Sequence, residues 1–179
     1  MLSTRRIGSV LFVGVLVALL VAGSTVTLVE FGVVSAPWTQ DAADVEIVGD
    51  DGERKAAVDV EVADTLEERR TGLSDHDSLE EGHGMLFVHD EEGERTYVMR
   101  EMDFDIDIIF IGGDREINSI HHARAPEEDE DGGDIQYSGE AKWVLEVPRG
   151  HANETGLEEG DAVEINYDEN ESESGSESE

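Results

Sequence analysis

From Ile7 to Val29 the chain carries no charge, and Arg5 and Arg6 stand directly before that run. As a helix rising about 1.5 Å per residue, the run is about 34 Å long. A bilayer core is about 30 Å thick, so the length suits one membrane crossing. Secretory apolar regions are shorter, at about 7 to 15 residues. The two arginines hold their end in the cytoplasm, which places everything after Glu30 outside. Two alternatives stay open. Thr4-Arg5-Arg6 resembles the start of a twin-arginine signal, although Ile7-Gly8-Ser9 fits that pattern poorly. Val34-Ser35-Ala36 has the small residues of a cleavage site, although Pro37 obstructs cleavage there. Residues 1–35 are therefore expected to be a transmembrane helix or a signal. The protein is expected at the cell membrane, single-pass, with its C-terminal domain outside the cytoplasm.

This run takes many of the apolar residues. Hydrophobic residues are 38 % of a 179-residue chain, so what remains supports one domain with a thin core. Against 12 bases stand 45 acids, a net charge of −33. Such a charge repels nucleic acid and anionic lipid, which excludes nucleic-acid partners. It also strains a compact fold unless salt screens it, to within about 3 Å at 1 M. Halophilic adaptation therefore accounts for most of the carboxylates. Cysteine is absent, which removes disulfides, thiolate metal sites, thiol nucleophiles and lipidated cysteines.

Residues 36–43 read as a linker, 44–167 as a β domain and 168–179 as a disordered acidic tail. Val58, Val60 and Val62 alternate with Asp59 and Glu61, a half-buried strand. Thr65 and Glu68 form a capping box for a helix over Leu66–Thr71, with Gly72 as its stop. Met85–Val88 and Thr96–Met99 read as separate strands around a turn at Asp90–Gly93. Ile106–Ile111 is apolar on both faces, as a central strand is. Further strands are expected at Val45–Ile47, Ile117–Ile120, Trp143–Val147 and Ala162–Tyr167, and a short helix at His151–Thr155. Many short strands with one or two short helices predict a mainly β fold, a compact antiparallel barrel or sandwich.

Five blocks carry a resemblance. They are Val60–Thr65 with Glu67–Arg69 and Gly72-Leu73; Gly84–Val88; Met99-Arg100 with Asp107–Ile111; Val144–Val147; and Gly150 with Gly156-Leu157 and Gly160-Asp161. In this order the chain resembles the uncharacterised domain of unknown function 192 family, over roughly Val58 to Val163. The resemblance implies a compact, mostly β fold, an export signal or anchor in many members, and no activity. The family's central block usually reads tryptophan, methionine, lysine, asparagine, threonine, where this chain has Val98, Met99, Arg100, Glu101 and Met102.

Candidate ligand-binding residues are His83, Arg100, Glu101, Asp107, His121 and Glu146; no catalytic residue, cofactor or definite metal site is assigned. His83 lies between two glycines, where backbone can approach a ligand. His83, either His121 or His122, and Glu146 make up a two-histidine, one-carboxylate metal set. Asp103, Asp105 and Asp107 share one face of an extended segment, an oxygen set for a hard cation. Glu127, Asp129, Asp131 and Gly132 imitate half a calcium loop, without its closing glutamate. Asp107 borders an apolar run and needs a partner there, for which Arg100 is expected. No serine or cysteine nucleophile pattern and no phosphate-cradling loop is present. The expected function is an extracytoplasmic, membrane-anchored binding or interaction module for a small ligand or an envelope protein, adapted to high salt. The alternative is a metal-assisted or acid/base hydrolytic enzyme of the envelope using Asp107, Glu146 and a histidine.

Overall fold

The computed structural model describes residues 41–168. The expected anchor or signal, most of the linker and nearly all of the acidic tail lie outside these residues. No helix among them is long and apolar enough to cross a membrane.

Seven strands form one sheet: β1 (Ala42–Val48), β2 (Arg54–Ala63), β3 (His83–Val98), β4 (Ile106–Ile111), β5 (Ile117–Ala123), β6 (Gln136–Pro148) and β7 (Ala162–Tyr167). Helix α1 (Leu66–Thr71) and a 3-10 turn (Gly72–Asp75) join β2 to β3, and α2 (His151–Thr155) follows β6. The sheet order is β5-β4-β6-β3-β2-β1-β7. The mainly β class with two short helices is found, but neither a closed barrel nor an all-antiparallel sheet. Strands β2 and β3 pair in parallel. Parallel neighbours need a crossover of a dozen or more residues, and the capping-box helix lies in that crossover. The sheet stays open, although its edges meet at one bridge, Glu116 to Ala162.

Several strands are longer than their apolar cores predicted, β6 among them, which starts at Gln136 rather than Trp143. β3 runs unbroken through Asp90–Gly93, where a turn was expected; its pairing with β6 shifts register between Val88 and Gly93. A bulge of this kind absorbs the acidic residues without reversing the chain. β1 starts at Ala42, inside the expected linker.

The central strands are buried on both faces. Along β4, Ile106, Ile108 and Phe110 join one apolar cluster and Ile109 and Ile111 the other. The first of these clusters also holds Met85, Phe87, Leu73, Met99, Met102 and Val144. The other gathers Val45, Val58, Val60, Leu86, Leu145 and Ala152 of α2. The period of two along each strand sends neighbouring residues to opposite faces, and this division decides what Asp107 and Glu146 can touch.

Candidate functional site

The Met99 side of the sheet is not fully covered. A cleft with a volume of about 550 Å³ opens between α1, the outer half of β3 and the segment Met99–Met102. Local rules fix each wall. The Thr65 hydroxyl accepts from the Glu68 N–H at 3.2 Å, and the Glu68 carboxylate accepts from the Thr65 N–H at 3.0 Å. That box starts α1, which carries Arg69 and Arg70. The continuation of β3 past its bulge brings in Arg95 and Tyr97. After β3 the chain turns through Arg100 and Glu101, the latter at φ 57, a left-handed conformation that asparagine tolerates better than glutamate. Gly132 lies beneath Met99, whose carbonyl leaves no room for a side chain there. Glu146 on β6 is part of the lining from below.

Half of the arginines between residues 41 and 168 line this cleft: Arg69, Arg70, Arg95 and Arg100. Among the described residues none of the four pairs with a carboxylate, although Arg54, Arg124 and Arg149 all do. Arg69 donates to the carbonyl of Val88 at 2.8 Å and to that of Asp64. Arg95 donates to the carbonyls of Ala141 and Glu91. Arg70 and Arg100 are exposed and have no hydrogen-bond partner among the described residues. In a chain of net charge −33, the cleft is a local reversal of sign.

The floor is different. Glu146 is 6 % exposed and has no hydrogen-bond partner among the described residues. Burial pushes its carboxyl up to about 8, because a low-dielectric site disfavours the charged form. The neighbouring Tyr97 hydroxyl hydrogen-bonds His89 Nε2 at 3.1 Å. Burial, with Arg95 and Arg69 nearby, pushes His89 down to about 4, which keeps that ring neutral and able to accept.

Of the residues expected from sequence, Arg100, Glu101 and Glu146 meet in this cleft. His83, Asp107 and His121 do not. His83 is exposed at the start of β3, near the Glu81 carbonyl at 3.3 Å. His121 lies 3.1 Å from the Ser138 carbonyl and against Phe110 and Tyr137. Asp107 is fully buried, and Arg100 is not its partner. Its Oδ1 takes His122 Nδ1 at 2.7 Å and Arg149 Nη1 at 3.2 Å; its Oδ2 accepts from the Gly150 and Ala152 N–H groups at 3.0 Å each. The reason is pleat: Asp107 faces away from the cleft side, on which Ile106 and Ile108 lie. Among the described residues no three histidine, aspartate or glutamate side chains form a metal-holding group. Asp105 instead accepts from the Ala125 N–H and Asp131 from the Gly133 N–H.

Sequence reasoning missed Arg69, Arg70, His89, Arg95 and Tyr97. A signal was available: bases are scarce in this chain, and these arginines flank the blocks Gly72-Leu73 and Gly84–Val88.

The model of the family described as DUF192, Uncharacterized ACR, matches residues 47–165, a span that includes every wall of the cleft. No curated protein matches the chain. Among solved structures, a proposed transcription regulator from Sinorhizobium meliloti 1021 superposes with a TM-score of 0.64 at 23% identity, covering 73% of this chain and 98% of that one. A protein of unknown function from Novosphingobium aromaticivorans DSM 12444 superposes with a TM-score of 0.58 at 32% identity, covering 68% of this chain and 83% of that one.

Proposed function

We propose, for a chain that belongs to the DUF192 family, that its β domain is a binding module whose cleft takes small organic anions. The observation that carries this reading is the set of four cleft arginines without carboxylate partners among the described residues, in a protein that has carboxylates to spare. Guanidinium groups bind carboxylates through two parallel N–H donors, and they stay charged at any working pH. The apolar wall of Phe87, Met99 and Ile106 suits the carbon frame of such a ligand.

The module is placed outside the cytoplasm, held at the membrane by the segment before Glu30, in a salt-rich medium. The uncharged run after Arg5-Arg6 supports the placement, and the net charge of −33 supports the medium. The regulator role named for the Sinorhizobium protein is not carried over, since its likeness is one of fold and a chain this acidic opposes a phosphate backbone. A hydrolytic role finds one favourable observation, the carboxyl of Glu146 held protonated in a cleft. Asp107, its expected companion, is committed instead to α2 and Arg149.

Calorimetric titration of the full chain with benzoate in KCl tests the binding reading. Saturable heat is expected. The double substitution Arg70→Ala with Arg100→Ala, at two exposed side chains, is expected to weaken binding at least about tenfold, the loss of a charge-assisted contact. Absence of heat at millimolar benzoate, or unchanged affinity in the double variant, would sink it.

A further inference from the structure

The cleft has two polar ends that the described residues leave without side-chain partners. Arg70 and Arg100 are at the exposed end. Glu146 is at the buried end, opposite Met85 of β3 and Ile108 of β4. Several of the other polar side chains around it are occupied. Arg69 and Arg95 hold backbone carbonyls, and Tyr97 is hydrogen-bonded with His89. Glu101 is exposed beside Arg100. A polar group this deeply placed costs free energy without a partner; the Glu146 oxygens are not among the fully enclosed unpartnered atoms, so they open onto the cleft, where either water or contact with a ligand completes them. Its lining of the cleft favours the contact.

Two chemistries would complete it. An ionised Glu146 would pair with a ligand cation. A protonated Glu146 would donate to an uncharged oxygen. Burial is the cause that raises this carboxyl. It therefore carries its proton at neutral pH and has one O–H to donate.

Building on the anion-binding reading, we propose that the ligand is a two-ended organic acid, with an anionic group for Arg70 and Arg100 and an uncharged oxygen acceptor that takes a hydrogen bond from the Glu146 carboxyl. The apolar middle of the ligand lies along Phe87, Met99 and Ile106.

Three probes of similar shape separate the possibilities: benzoate, with the anion alone; 4-acetylbenzoate, with a ketone oxygen at the far end; and 4-(aminomethyl)benzoate, with an ammonium there. Each is titrated into the full chain and into Glu146→Gln at pH 6.5 and at pH 9. In the native chain at pH 6.5, 4-acetylbenzoate is expected to bind about tenfold tighter than benzoate, the usual value of one buried hydrogen bond. At pH 9 that advantage disappears, because Glu146 ionises while the arginines do not. In Glu146→Gln the amide donates at either pH, so the advantage persists at both. Equal binding of the ketone and benzoate at pH 6.5 would overturn the proposal. So would a preference for the ammonium probe that grows at pH 9 and is lost in Glu146→Gln. Failure of benzoate itself would instead remove the anion-binding reading on which the proposal stands.

Discussion

Glu146 and His89 titrate in opposite senses, and their pH windows overlap. Glu146 is held up at about 8 from an ordinary value of 4.5. The native state therefore keeps a proton that the unfolded chain loses, and stability falls as pH rises from about 4.5 to about 8. His89 is held down at about 4 from 6.5. There the unfolded chain binds the extra proton, so stability rises from about pH 4 to about 6.5. The two slopes oppose each other up to about pH 6.5, and Glu146 acts alone from there to about 8. Denaturant unfolding is predicted to show a loss of stability across that upper window, with a limiting slope of about 1.4 kcal/mol per pH unit. In Glu146→Gln the loss should vanish; if it persists, another group carries it. Sequence placed Glu146 on a strand among apolar residues, which made its burial legible. The lack of a partner was not, because partners come from β3 and β4, distant in the chain.

Asp107 ties several elements together. It accepts from two N–H groups at the start of α2 and pairs with Arg149 and with His122 of β5, all from the interior of β4. A residue at the border of a central strand thus sets where the chain turns after β6. Asp107→Ala leaves one buried and one partly buried N–H without their acceptor, while Arg149 is exposed enough for water to take its guanidinium. An unsatisfied buried donor costs about 1–3 kcal/mol, and denaturant unfolding should show a loss of that order. Asp107→Ala should still bind benzoate under conditions where it is folded, since its side chain is on the far face from the cleft. A loss of binding with the fold intact would mean that the two faces are coupled. At this scale the sequence was informative where the signal is local. The capping box, the glycine stops at Gly72 and Gly156 and the period of two in β2 all appear where expected. It misled where pairing is long-range. The acidic stretch Asp90–Gly93 has turn composition, yet it forms a bulge within β3, and pairing with β6 resumes at Gly93. The crossover that makes β2 and β3 parallel is invisible in either strand alone.

Across the whole molecule, charge sets the working conditions. Some of the bases are spent on a few acids, as in Lys55 with Asp161 at 2.8 Å and Arg124 with Glu130 at 2.6 Å, and much of the excess acid faces solvent. Screening length falls from about 10 Å at 0.1 M salt to about 3 Å at 1 M. The thermal midpoint of the full chain is predicted to climb steeply over that range of KCl and then level off. A flat profile would remove self-repulsion from the account. The cleft arginines are the local exception to this charge, and the family match spans all the elements that present them. The measurement that bears on them most directly is chemical-shift mapping of the isotopically labelled full chain during a benzoate titration. Saturable shifts concentrated on Arg69–Leu73, Tyr97–Met102 and Glu146 are predicted. Shifts centred instead on Asp107, His122 and Arg149, or no saturable shift anywhere, would contradict the cleft as the binding site.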